Sequence, residues 1–181
     1  FPSPEAIDHA KALVDVIVNE INQNGGRISF EKFMQLALYA PGLGYYSAGS
    51  EKIGIKGDFI TAPEISPLFS YSIAKACQKF FDPLGEVNIL EFGAGSGRMA
   101  VDMLTHLSEQ EGMPVHYFIL ETSAQLKKRQ LETFQEKAPH LLHSIEWLDK
   151  LPSSFNGIMI ANEVLDAFPV RRFLINNNQI Q

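Results

Sequence analysis

From residue 87 onward the sequence predicts an α/β protein with a doubly wound, mainly parallel sheet. Three observations point there: short apolar runs alternate with helix-forming stretches, one run breaks into glycines at alternate positions, and carboxylates or amides stand where the runs end. The expected order is strand Val87 to Phe92, helix Arg98 to Ser108, strand Val115 to Leu120, helix Ala124 to Lys137, strand Ser144 to Trp147 and strand Gly157 to Ala161. Alternation at this spacing specifies parallel strands with right-handed crossovers. Ligands of such sheets sit beyond the carboxyl ends of strands where the strand order reverses, and Gly93 to Gly97, Glu121 and Asn162 all fall at such ends.

Upstream, Ser3-Pro4-Glu5 has the cap, first-turn proline and early acid of a helix start. Ala6, Ala10, Leu13, Val14, Ile17 and Ile21 then form one apolar stripe, which Gly25-Gly26 ends. Ser29 is placed to cap a second, short helix carrying Phe33, Leu36 and Ala37, stopped by Pro41-Gly42. The stretch from Gly42 to Pro67 is glycine-rich, aromatic and long for a connection, which favours a functional or self-packed role. Within it Thr61 and Glu64 have capping-box spacing, while Ser66-Pro67 offers a rival start for a helix to about Phe81. Tyr45 and Tyr46 suit either a ligand ring or a small core.

The run Ile89-Leu-Glu-Phe-Gly-Ala-Gly-Ser-Gly97 carries the chemistry. A buried strand ending in glycines brings bare backbone amides up to a ligand. Arg98 stands where a dinucleotide fingerprint wants its third glycine, which weakens an NAD reading. Glu91 repels a pyrophosphate by roughly 1 to 4 kcal/mol at about 4 Å, depending on the effective dielectric. A cation is welcome instead, and S-adenosylmethionine fits, because it carries a sulfonium and an ammonium and lacks phosphate. Glu121 stands 24 residues beyond Gly97, where a carboxylate can accept from both ribose hydroxyls. Packing alone also explains isolated glycines, and Glu121 before Thr122-Ser123 also suits a strand end beside a helix cap.

Four motifs, Leu38-Tyr-Ala-Pro-Gly-Leu-Gly-Tyr-Tyr46, Gly57-Asp-Phe-Ile-Thr-Ala-Pro-Glu-Ile-Ser66, the glycine turn at 91 to 97, and Ala161-Asn-Glu-Val-Leu-Asp-Ala-Phe-Pro-Val170, occur in the order seen in one known family. With them the chain resembles the MidA family of S-adenosylmethionine-dependent methyltransferases. The resemblance implies a class I, Rossmann-like methyltransferase fold, truncated at the C-terminus, with residues 1–82 as an N-terminal helical cap and pocket-lining loop and 83–181 as the N-terminal part of the cofactor domain. It implies that Glu91, Gly93, Ala94, Gly95, Gly97, Glu121 and Asn162 hold S-adenosyl-L-methionine, and that the loop after the fourth strand faces the transferable methyl. The mitochondrial member of that family assists respiratory complex I assembly and methylates a protein arginine, which the resemblance makes the expected acceptor. A carboxylate pair suits such an acceptor because it holds a planar guanidinium bidentately, which makes Glu163 and Asp166 the candidate catalytic residues. The rival for that pair is capping of the turn before Pro169.

Composition agrees with a folded enzyme: 181 residues, 45% hydrophobic and 20% charged. The net charge of -6 and the lack of a basic block beyond Lys127, Lys128, Arg129, Arg171 and Arg172 argue against nucleic acid. No apolar run reaches the roughly 18 residues of a membrane span, so no membrane insertion is expected. The single Cys77 sits in an apolar helical pattern and reads as core, in keeping with a reducing compartment. His9, His106, His116, His140 and His143 show no ligand spacing, so no metal is expected. The expected location is the bacterial cytoplasm, or the mitochondrial matrix if a targeting segment precedes Phe1. Phe173 to Ile175 reads as a fifth strand, Asn176 to Asn178 as a turn and Gln179 to Gln181 as a returning strand. Seven strands complete this fold class, so the chain is expected to be a fragment. An NAD-dependent oxidoreductase and a non-catalytic assembly scaffold are the alternatives to a methyltransferase.

Overall fold

The computed structural model describes residues 3–48, 60–81, 86–110 and 113–180. Gly57 to Phe59 of the second motif, the Pro83 to Gly85 connection and Gln181 lie outside the described residues. By its contacts the chain divides into two compact units, one formed by residues 51–164 and the other by 1–50 together with 165–181.

In the 51–164 unit, α3 (Ala62–Ile65) and α4 (Pro67–Gln78) precede a sheet of β1 (Asn88–Phe92), β2 (Tyr117–Leu120), β3 (Ile145–Leu148) and β4 (Gly157–Ala161). Between them run α5 (Arg98–Glu109), α6 (Ala124–Lys137) and a 3-10 turn at Pro139–Ser144. The strands pair in the order β3-β2-β1-β4, all parallel. That order reverses between β1 and β4, so a ligand crevice is due there. The doubly wound parallel α/β fold expected from the sequence is therefore observed.

Register explains the core. Ile89 and Glu91 pair with Tyr117 and Ile119, so these four side chains share one face of the sheet, with Ile158 and Ile160 of β4 beside them. Ala74 and Cys77 of α4, Met99, Met103, Leu104 and Leu107 of α5 and Phe134 of α6 pack with the apolar members of that face. Burial raises the Cys77 thiol, as a core placement implies. On the opposite face the Phe155 ring stands edge-on to Phe118, with centroids 6.5 Å apart. Strands start later than the apolar runs suggest: Val115 is half exposed and β2 begins two residues after it.

The other unit contains α1 (Pro4–Gln23), α2 (Phe30–Tyr39), a 3-10 turn at Leu165–Ala167 and a hairpin of β5 (Ile175–Asn176) and β6 (Gln179–Ile180). Ser3 and Ser29 cap the two helices, accepting from the amides of Ala6 at 3.2 Å and Lys32 at 3.1 Å. The stretch after residue 165 is tied to α2 by Tyr39 Oη donating to the Ala167 carbonyl at 2.8 Å, by Arg171 on Glu31 at 2.8 Å, and by Arg172 over the Phe30 ring. The expected strand, asparagine turn and returning strand form as a short hairpin, whose first strand starts at Ile175 and not at Phe173. Asn177 and Asn178 adopt φ of 48° and 59°, the conformation of a two-residue hairpin turn, and Ile175 pairs antiparallel with Ile180. Among the described residues no helix is long and apolar enough to cross a membrane.

Candidate functional site

The glycine turn leaves β1 with Gly93, Gly95 and Gly97 at φ of 59°, 55° and 81°, a path that side chains resist. Its carbonyls and amides are sorted by direction. Gly95 O accepts from Gln130 Nε2 at 3.2 Å and Ser96 O from Thr133 Oγ1 at 2.8 Å, and both donors lie on one face of α6. The amides of Ala94, Gly95 and Ser96 donate to no acceptor among the described residues. Carbonyls held back and amides left open make an acceptor-binding nest beside the α5 N-terminus. Gly97 is where α6 closes in, since a Cβ there would lie 3.1 Å from Gln130 Cα.

A cleft of about 430 Å³, counting the part open to solvent, lies against this turn. Of the sequence-predicted residues it brings together Glu91, Gly93, Ala94, Gly95, Asn162 and Glu163. Thr61, Pro63 and Glu64 of the α3 region also line it. Gly97 sits under the turn, and Glu121 stands outside the lining. Asp166 belongs to the other unit, in the 3-10 turn, where its charge helps raise the Tyr46 phenol behind the larger effect of burial.

Glu91 is almost fully buried and accepts from Tyr117 Oη at 2.9 Å. Loss of water raises its pKa from the ordinary 4.5 to about 7; the Tyr117 bond opposes that shift and the Glu121 charge adds to it. An incoming cation favours the ionised form of such a buried carboxylate, offsetting the loss of water. Glu64 accepts from Ser96 Oγ, so the expected capping box is not formed: Thr61 makes no side-chain cap bond, and Glu64 is drawn to the glycine turn instead. Ser66 caps α4, accepting from Leu68 N at 3.2 Å. Glu64, Glu91 and Glu163 thus face one cleft, in which Arg98, the one cationic side chain among the described lining residues, is paired with Asp102 at 3.2 Å. Glu163 is exposed and holds φ 52°, a conformation that costs a non-glycine residue of order 1 kcal/mol and clusters at functional sites.

Sequence reasoning passed over Gln130. Leu126, Gln130 and Phe134 recur at helical spacing, and Gln130 is completely buried in the middle of that stripe. A polar residue at a core position is the signal that was available.

With this geometry in view, a family model described as "Putative S-adenosyl-L-methionine-dependent methyltransferase" matches residues 72–181. The chain belongs to that family. Among solved structures, a COG1565 superfamily member from Burkholderia thailandensis bound to S-adenosyl-homocysteine superposes with a TM-score of 0.86 at 42% identity, covering 93% of this chain and 45% of that one. A second Burkholderia thailandensis COG1565 structure gives 0.84 at 39% identity, over 99% and 46%. The mitochondrial protein arginine methyltransferase NDUFAF7 homolog of Caenorhabditis elegans is 29% identical over 96% of this chain and 45% of its own length, and the Danio rerio NDUFAF7 is 29% identical over 84% and 42%. The chain spans less than half the length of these relatives.

Proposed function

We propose that the chain forms the S-adenosylmethionine-binding region of a protein arginine N-methyltransferase, with a role beside complex I assembly of the kind its resemblance implies. The observation that carries the cofactor reading is the pairing of the buried Glu91 carboxylate with the open amides of Ala94, Gly95 and Ser96 in one cleft. An amino-acid zwitterion matches it: the amides donate to its carboxylate and Glu91 accepts from its ammonium, while a diphosphate meets three glutamates. Asn162 at the end of β4 lies where it can hydrogen-bond the same ligand, and Glu121 is assigned the ribose hydroxyls. Bound there, S-adenosylmethionine supplies a methyl on a sulfonium. Glu163, strained and exposed at the cleft edge, is assigned the acceptor guanidinium, which it holds and orients by charge-assisted hydrogen bonds. Relatives named as protein arginine methyltransferases support that acceptor class. Asp166 stays a separate candidate for the catalytic role.

Titration calorimetry tests the cofactor: S-adenosylhomocysteine gives saturable heat and NADH gives none, whereas NADH binding overturns the proposal. For the acceptor, Glu163→Gln lowers methylation of an arginine-rich peptide by about 10- to 100-fold, the worth of a charged hydrogen bond, while S-adenosylhomocysteine affinity stays within about threefold. Unchanged turnover removes Glu163 from the acceptor role.

A further inference from the structure

We infer that Gln130 is the positioning residue that sets ribose selectivity in the cleft; this rests on the cofactor reading above. Its side chain makes three hydrogen bonds, and their chemistry allows one orientation. The Trp147 indole only donates, so at 2.9 Å it fixes Gln130 Oε1. The Gly95 carbonyl and the Glu121 carboxylate only accept, so each takes one Nε2 hydrogen at 3.2 Å. Gln130 therefore cannot flip its amide without setting like against like in a site closed to water.

The consequence is a rigid link. Glu121 does not line the cleft, yet its Oε2 shares the amide that grips Gly95, which does. The second oxygen, Oε1, accepts from the Ser123 amide at 2.9 Å. Each oxygen keeps a lone pair, and two bonds, one from the N-cap of α6 and one from its interior, hold the carboxylate plane still. Thr133, one helical turn on from Gln130, anchors the next carbonyl of the glycine turn at 2.8 Å. The ribose acceptor and the amide nest are in this way one preset unit, and preset donors and acceptors bind without reordering. Glu121 supplies the discrimination, and Gln130 keeps it aimed.

The test compares affinity for S-adenosylhomocysteine with that for its 2′-deoxy analogue. The wild-type chain prefers the ribose form by about tenfold or more, as a hydrogen bond to a charged group predicts. Gln130→Met, close in shape but without donors, brings that ratio to within about threefold. Trp147→Phe leaves Gln130 in place but frees its Oε1, and lowers the ratio by a smaller factor while far-UV circular dichroism stays native; it carries the test if the methionine variant does not fold. A general loss of packing weakens both ligands together and leaves the ratio alone. An unchanged ratio in the folded variants overturns the inference and leaves the cofactor reading standing. Failure of the wild-type chain to bind S-adenosylhomocysteine removes both.

Discussion

Around β1 the side chains of Ile89, Leu90, Met103 and Leu104 are shut off from solvent completely, whereas α1 and α2 bury no residue, Val14 is 55% exposed and Ile180 of the terminal hairpin is 75% exposed. Both parts have good caps and clear apolar periodicity. The contrast shows that periodicity and capping fix where a helix forms, while depth of burial depends on how many layers are stacked over it. In the sheet unit helices lie on a four-stranded sheet; in the other unit two helices meet each other and a short irregular segment. The cleft is built on the closed-packed part, where a misplaced carboxylate is hardest to accommodate.

The most forceful way to break this comparison is to cut the same kind of atoms from each side. Leu104→Ala should cost about 3 kcal/mol by urea unfolding, because transfer and cavity costs add in a core that cannot collapse. Val14→Ala should stay within about 0.5 kcal/mol. Equal losses would mean that the two regions are held alike.

Glu91→Gln sharpens the contrast from inside the core. Folded Glu91 binds its proton more tightly than the unfolded chain does, so the stability it contributes is fully present below about pH 4.5 and lost as pH rises toward and through about 7. The neutral variant escapes that loss: in thermal melts it should match wild type near pH 4 and exceed it at pH 8, by of order 2 kcal/mol. Its affinity for S-adenosylhomocysteine should fall and lose its pH dependence, while the wild-type affinity increases from pH 6 to 8 as Glu91 ionises. A variant no more stable at pH 8 than wild type contradicts the buried, raised carboxylate.

Glycines give a finer version. Gly97 and Gly25 both hold positive φ, but a Cβ at Gly97 meets Gln130 at 3.1 Å while Gly25 has open space around it. Gly25→Ala should cost about 1 kcal/mol, the left-handed penalty alone, and Gly97→Ala about 1 kcal/mol more with a matching loss of S-adenosylhomocysteine affinity. Least is expected from Arg171→Ala, which removes a largely exposed pair with Glu31 and should shift stability by under about 0.5 kcal/mol.

Much of this was legible beforehand, for physical reasons that can be named. α6 and β4 run between the residues read from the sequence, because serine capping and glycine breaks are local signals. The position of the glycine turn at the carboxyl end of a parallel strand followed from alternation, while the strand order that makes it a switch point came from the structure. What stayed hidden depended on contacts distant in sequence: Glu64 leaving its own helix cap for Ser96, 32 residues away, and Gln130 reaching back to Gly95. The terminal hairpin was legible from its asparagines, while its first strand proved shorter than the apolar run from Phe173 suggested.

Trp147 is the chain's sole tryptophan, and its ring nitrogen is bonded to the amide that clamps the glycine turn. Ultraviolet emission from this protein therefore comes with a built-in gauge: any molecule that tightens or loosens the nest alters the polarity felt by one fluorophore, with no label attached.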